Sequence, residues 1–364
     1  MCEKPVILFE SYPDFNCSPL AIYEELVKRG YDQKYDLVWA VYSDFNLKTN
    51  YKVVKFFNCN SPEKQDIIRR TKCIIDSNRF IPKFSQNVYR LHTTHGCNLK
   101  NCNWYCKQVG ALDSIITTSD EMLELEKTCW PIDKNKFIIY GMPSLDKLFH
   151  PKNLYDGFIQ EITNNNIKYK KIVGWFPTFR ERRSSSTKSR FTFGLPTLKN
   201  INEVEKLNES LKKENILMIV QMHHAQAANS LPFPKSSNIV FVNEIIKTKY
   251  NLSTMDLLGN CDGMITDYSS IYHEYVILNR PIALTIEDLQ IYAKSPGFVC
   301  NYLEWIKGDY LLDVDDLCLW INDISKDIDK NKAEREMSLN KIHKFKDYKA
   351  TERVVDFLIK EAKL

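Results

Sequence analysis

Ile265-Thr266-Asp267-Tyr268-Ser269-Ser270-Ile271 is an apolar run that ends in an acid and two serines before an amphipathic segment begins. The pattern predicts a strand, a tight turn and a helix start, with Ser269 and Ser270 as caps and Ile271, Tyr275 and Leu278 as the apolar face. Glu274 comes four residues after Ser270, one too late for a capping box. Unpaired N–H groups and the positive end of the macrodipole meet at a helix start, so hydroxyls and amides there suit a phosphate.

Working outward, two more apolar runs end in polar chemistry. Residues 172–176 lead into Pro177-Thr178-Phe179-Arg180, which carries a hydroxyl and a guanidinium to the carboxyl end of a predicted strand. Residues 216–220 lead into Gln221-Met222-His223-His224, which delivers two imidazoles the same way. Ligands of open α/β sheets bind beyond the carboxyl ends of the strands, so these ends together are a candidate site. In the N-terminal half, Val88, Tyr89 and Leu91 precede His92-Thr93-Thr94-His95-Gly96-Cys97-Asn98-Leu99-Lys100. There an imidazole beside a glycine, with a lysine five residues on, suits proton transfer to an anionic substrate, because histidine titrates near neutrality.

Strand-length apolar runs alternate with helical patterns along the whole chain. Strands are predicted at 6–9, 37–41, 73–76 and 114–117, with helices at 18–29, 62–70 and 120–128 between them. A second series starts at 172 and continues at 217, 239–242, 264–265 and 282–285. The alternation implies α/β architecture: two doubly wound Rossmann-like domains with parallel sheets. The expected layout is an N-terminal domain at 1–150, a polar linker at 151–171, a C-terminal domain at 172–337 and a closing helical segment at 338–364. The sequence does not fix where that segment packs; the domain junction is one option.

The composition restricts the function classes. The 364 residues are 44% hydrophobic and 12% aromatic, enough for two cores. Eleven cysteines without paired spacing read as reduced thiols. His95, Cys97, Cys102 and Cys106 match none of the strong zinc spacings, so no metal site is expected. No 18-residue apolar run exists, and residues 1–20 carry Glu3, Glu10 and Asp14, unlike a secretory leader. A net charge of +4 argues against a nucleic-acid binder. Basic residues cluster instead in the Ser-rich stretch 180–190 and in the lysine-rich 326–346, which suits an anionic membrane surface or a phosphate-rich acceptor.

The chain resembles the CDP-glycerol glycerophosphotransferase family, which primes and polymerises teichoic acids and related phosphopolyol capsule chains. Phe9-Glu10-Ser11 and Ile22-Tyr23-Glu24-Glu25-Leu26 look like its opening strand and first helix. His95, Gly96 and Lys100 match its H-G-T-P-x-K segment, with Cys97 and Asn98 in place of Thr and Pro. Gly141, Pro143 and Asp146 match G-x-P-R-x-D, with Ser144 for the arginine. Pro177 to Arg180 match P-T-F-R, and His223 takes the histidine of K-L-H-P, flanked by Gln221 and His224 instead of Lys and Pro. Ile265 to Ser270 match I-T-D-Y-S-S, Arg280-Pro281 the R-P after its helix, and Asp347, Lys349, Ala350 and Arg353 the closing D-G-K-A-x-x-R.

The resemblance implies the two-domain glycosyltransferase-B architecture, with the active site in the cleft between domains. It also implies transfer of glycerol phosphate, or another polyol phosphate, to an acceptor hydroxyl with release of CMP. His95 would be the base on the acceptor side, with Gly96 and Lys100 beside it, and His223 would assist departure of CMP. Thr178, Arg180, Ser269 and Ser270 would cradle the donor phosphates, Asp267 would orient His223 or the helix start, and Glu274 would reach ribose hydroxyls. The expected donor is CDP-glycerol or CDP-ribitol, with no tightly bound cofactor. The expected acceptor is lipid-linked or a phosphopolyol, met at the cytoplasmic face of the membrane. A nucleotide-sugar glycosyltransferase and a nonenzymatic phosphopolymer-binding protein are the rival readings.

Overall fold

The structure is a computed structural model that describes residues 3–42, 50–57, 60–96, 99–178, 193–222 and 233–364. The chain forms two compact units: Met1–Asp146 together with Ile342–Leu364, and Lys147–Lys341.

Among the described residues the first unit holds seven strands: β1 (Val6–Phe9), β2 (Asp36–Val41), β3 (Lys52–Lys55), β4 (Thr71–Asp76), β5 (Tyr89–His92), β6 (Ser114–Thr117) and β7 (Phe137–Ile139). They form one parallel sheet in the order β3-β2-β1-β4-β5-β6-β7. The second unit holds β8 (Lys171–Phe176), β9 (Ile216–Gln221), β10 (Ile239–Val242), β11 (Gly263–Thr266), β12 (Ile282–Leu284) and β13 (Asp309–Tyr310). Its parallel sheet runs β10-β9-β8-β11-β12-β13. Every residue of β1, β6 and β11 is buried, as a parallel sheet covered on both faces requires. Polar side chains start the helices where the sequence places them: Asn16 before Cys17–Lys28, Ser61 before Pro62–Arg70, Ser119 before Asp120–Glu126 and Asn200 before Ile201–Glu214. In both sheets the winding direction reverses once, between β1 and β4 and between β8 and β11. Those two gaps are the topological switch points, where such sheets take their ligands.

Some expectations need adjusting. Edge strand β3 escapes a periodicity reading because only Val54 of its four residues is buried. The stretch 151–171, read as a polar linker, belongs to the second unit and buries Leu154, Phe158 and Ile159, the last two on the helix Phe158–Thr163. The closing segment is two helices, Lys332–Ile342 and Ala350–Glu361. The second of these buries Val354, Val355 and Leu358 in the first unit's core with Phe9, Ile22 and Trp39.

Two of the recognised motifs hold that helix in place. The Asp146 carboxylate accepts from the N–H groups of Ala350 at 3.1 Å and Thr351 at 2.8 Å, capping it. Arg353 pairs with both oxygens of Asp347 at 2.9 Å and donates to the Tyr140 carbonyl at 3.0 Å. Ser144, where the family has arginine, is buried against Ser18 of the first helix, with the hydroxyls 3.3 Å apart. Arg280 is likewise architectural: it donates to the carbonyls of Gly259 and Cys261 at 2.8 and 2.7 Å.

Candidate functional site

In the second unit, Thr266 pairs with Phe176 across β11 and β8, so the residues that follow each strand emerge side by side. Asp267, fully buried, accepts from the Thr178 backbone N–H at 2.8 and 3.0 Å, one bond to each oxygen, and from the Thr178 hydroxyl at 2.5 Å. These bonds tie Thr178, just after β8, to the D-Y-S-S turn. From below, Tyr302 donates to the Asp267 carbonyl at 2.5 Å and Tyr268 donates to Asp288 at 2.8 Å, with Tyr268 stacked on Tyr292 at 4.0 Å. Thr178, Ser269 and Ser270 are half-buried at the carboxyl edge.

The helix start is shorter than expected. The helix covers only Ile271–Tyr275, continued by a 3-10 turn at Val276–Leu278. Ser270 occupies the N-cap position in helical conformation without a side-chain cap bond, and Ser269 reaches the Ile271 N–H only at 3.4 Å. The buried face is Tyr272, Tyr275 and Val276, while Ile271 and Leu278 are only half-buried. Glu274 is half-buried and makes no hydrogen bond to a described residue; loss of water pushes its carboxyl up to about 7. Arg180 and His223, with His224, lie outside the described residues. Asp267 was expected to orient His223 or the helix start; its described side-chain bonds go to Thr178, which only the strand order reveals.

At the carboxyl edge of the first sheet, Asp76 at the end of β4 organises the neighbouring β5. Its carboxylate accepts from Arg90 Nε at 2.9 Å, His92 Nδ1 at 2.7 Å and the Ile81 N–H at 3.1 Å, and its carbonyl accepts from the Thr93 N–H at 2.7 Å. Asp76, Arg90 and His92 are all fully buried, and His92 sits between the rings of Phe80 and Trp130. This anchoring fixes where the next residues emerge. His95 is exposed, with its Nδ1 3.6 Å from the Cys17 sulfur, and Gly96 follows in the left-handed region at φ 80°. Lys100 is half-buried.

One acid at this edge carries no function in the sequence reading. Glu10, directly after β1, is fully buried, and its Oε2 accepts from three consecutive N–H groups: Ser77 at 3.2 Å, Asn78 at 3.1 Å and Arg79 at 3.0 Å. Its Oε1 has no partner among the described residues. Burial pushes the carboxyl up to about 7; the negative Asp76 adds to the rise and the three N–H donors oppose it. The available signal was an acid immediately following an all-apolar strand. Among the described residues no group of His, Cys, Asp and Glu side chains is placed to hold a metal ion.

Two parallel sheets, each with an acid that gathers the turn from the strand across its switch point, define the class: two-domain Rossmann-like α/β proteins of the glycosyltransferase-B type. The structure superposes on the wall teichoic acid polymerase TagF with a TM-score of 0.76 at 21% identity, covering 99% of this chain and 90% of that one. A Listeria monocytogenes protein assigned as a UDP-N-acetylglucosamine 2-epimerase shares the fold at a TM-score of 0.53 and 12% identity, covering 100% of this chain and 97% of that one. In sequence, 327 residues are 28% identical to the teichoic acid glycerol-phosphate primase of Bacillus subtilis strain 168, covering 88% of this chain and 76% of that protein. The teichoic acid poly(glycerol phosphate) polymerase of Bacillus spizizenii is 24% identical over 384 residues, covering 98% and 87%. The chain belongs to the CDP-glycerol:poly(glycerophosphate) glycerophosphotransferase family, which matches residues 1–360, and is an enzyme of that family.

Proposed function

We propose that this enzyme transfers glycerol phosphate from CDP-glycerol to the terminal hydroxyl of a glycerol-phosphate acceptor. The acceptor oxygen attacks the phosphorus next to glycerol, and CMP leaves. What carries the reading is that His95, Thr178 and Asp267, each in a segment that resembles the family, follow the carboxyl ends of the parallel strands β5, β8 and β11. In-line displacement at phosphorus needs positioning, neutralised charge and two proton transfers. On this reading His95, exposed after β5, takes the acceptor proton. His223 protonates the departing side. Arg180 engages the donor phosphates with its fork and Ser269 and Ser270 offer hydroxyls to the same anion, while Thr178, expected in that cradle, gives its N–H and hydroxyl to Asp267 and so positions the turn instead. Gly96 and Lys100 line the acceptor side. The half-buried carboxyl of Glu274, short of partners, accepts from a ribose hydroxyl.

The same reading puts a lipid-tethered acceptor at the inner membrane surface, reached by peripheral contact. No helix among the described residues is long and apolar enough to cross a membrane. Within 326–346, Lys326, Lys332 and Lys346 are exposed, as are Lys330 and Lys344, which pair with Asp323 and Asp120. Each exposed lysine adds about 1 kcal/mol of attraction to an anionic surface. Sedimentation with anionic vesicles should occur at low salt and reverse at high salt; equal, salt-resistant binding to neutral vesicles would remove this contact from the account.

The deciding experiment incubates the enzyme with CDP-glycerol or CDP-ribitol and a short phosphopolyol or lipid-linked acceptor, followed by mass analysis. CMP and an acceptor longer by one glycerol phosphate are expected. Turnover of CDP-ribitol alone would reassign the donor, and no CMP from either would refute the reading.

A further inference from the structure

The turn after β4 carries a guanidinium without an acceptor. Arg79 stacks on Tyr42, with Cζ 3.7 Å from the ring centroid, and lies 4.8 Å from the ring of Tyr12 and 5.5 Å from that of Phe57. Its backbone N–H is held by Glu10 at 3.0 Å, so the residue is fixed at its root and at its head. Yet its side chain donates no hydrogen bond to a described residue, and Nη1 is withdrawn from water. Asp14 lies near enough to feel the charge but forms no ion pair with it among the described residues, and burial holds the Asp14 carboxyl above its ordinary range.

A guanidinium presents five donors in a rigid fork, and an orphaned buried donor costs ~1–3 kcal/mol. Stacking on aromatic faces keeps the plane oriented while leaving the donor edges free. The placement points the same way, because Arg79 follows β4 at the switch point with β1, where an open parallel sheet takes its ligand. In the second unit the equivalent position, after β11, carries the D-Y-S-S turn. The exposed rings of Tyr12 and Tyr42 give this spot an apolar wall suited to a short carbon backbone between phosphates.

We propose that Arg79 binds a phosphate of the acceptor, its fork spanning two oxyanion oxygens while Tyr42 and Tyr12 hold the guanidinium in place. This rests on the reading that the first unit takes the acceptor. The phosphate belongs either to a phosphodiester of a glycerol-phosphate chain or to the pyrophosphate of a lipid-linked acceptor, since both offer the same paired oxygens.

The test measures binding without turnover. By calorimetry, a glycerol-phosphate trimer, a short-chain prenyl pyrophosphate, uncharged triglycerol and CDP-glycerol are titrated into the wild type and R79Q. R79Q should weaken one of the two phosphate probes at least ~10-fold, as expected for loss of a charged hydrogen bond, and leave CDP-glycerol unchanged; the probe affected identifies the source. Unchanged affinity for both, or an equal loss for triglycerol, overturns the proposal. Should R79Q not fold, the wild-type protein decides: phenylglyoxal labelling of Arg79, read by mass spectrometry, should slow when the phosphate probe is present, and no protection overturns the site. Phosphate binding at Arg79 in a protein that releases no CMP from CDP-glycerol would keep this site and refute the catalytic reading instead.

Discussion

The two switch points solve one problem with different acids. In the second unit Asp267 engages Thr178 with both oxygens, so the clasp is complete and Thr178 is tied down by its N–H and its hydroxyl. In the first unit Glu10 gathers three N–H groups on one oxygen and leaves the other without a partner among the described residues, close to a second buried acid. A closed clasp fixes a binding surface. An open clasp in an acidic surrounding makes its turn, and the residues carried on it, respond to the state of one proton.

His95→Ala separates the two ends most sharply. Transfer should fall by ~10² to 10⁴, the usual loss of a general base, while calorimetry shows CDP-glycerol affinity intact. Lost donor affinity with turnover retained at saturating donor would move His95 out of the acceptor role.

Glu10→Gln probes the open clasp. The folded carboxyl holds its proton more tightly than the ordinary 4.5, up to about 7. It therefore favours folding fully below pH 4.5, and that contribution is lost as pH rises towards 7, by up to ~3 kcal/mol. Buried Glu126, pushed up to about 8, and Glu274, up to about 7, act in the same direction. Urea midpoints of the wild type should drop between pH 5 and 8, and E10Q should drop less; an identical slope would mean that Glu10 ionises alike in both states.

Asp267→Asn tests the closed clasp. An amide N–H₂ facing the Thr178 N–H leaves a buried donor unmade, costing ~1–3 kcal/mol, and CDP-glycerol affinity should fall as Thr178 loses its anchor. A lowered melting temperature with donor affinity unchanged would make the clasp purely architectural.

The smallest effect is expected away from both edges. Asp146→Ala uncaps the helix Ala350–Glu361 at a cost of ~1 kcal/mol, and the thermal midpoint should fall by a few degrees while both substrate affinities hold.

The chain's alternation of apolar runs and helical patterns made the doubly wound architecture legible, because a strand buried on both faces must be apolar throughout, as 6–9 and 239–242 are. Strand β3 was invisible because it buries only one of its four side chains. The site was legible as single ends, His95 and Thr178 and Asp267, but not as partners. That Asp267 grips Thr178, 89 residues away, follows from β8 and β11 lying side by side, an order that no local pattern encodes. Glu10 was missed for the same reason, since its partners at 77–79 come from across the switch point. Ser269 and Ser270 were over-read as caps: a five-residue helix continued by a 3-10 turn has little dipole to cap.

The helix Ala350–Glu361, capped by Asp146 and packed beside Phe9 and Trp39, has a consequence for how the protein is made. A ribosome delivers the first sheet early and its last covering helix only after the whole second unit has been synthesised. Until then one face of that sheet, including part of the surface around Ile22 and Tyr89, waits uncovered, the kind of exposed apolar surface that chaperones recognise. The second unit, contiguous in sequence, can complete itself first, so the two halves should mature in the reverse of their order of synthesis.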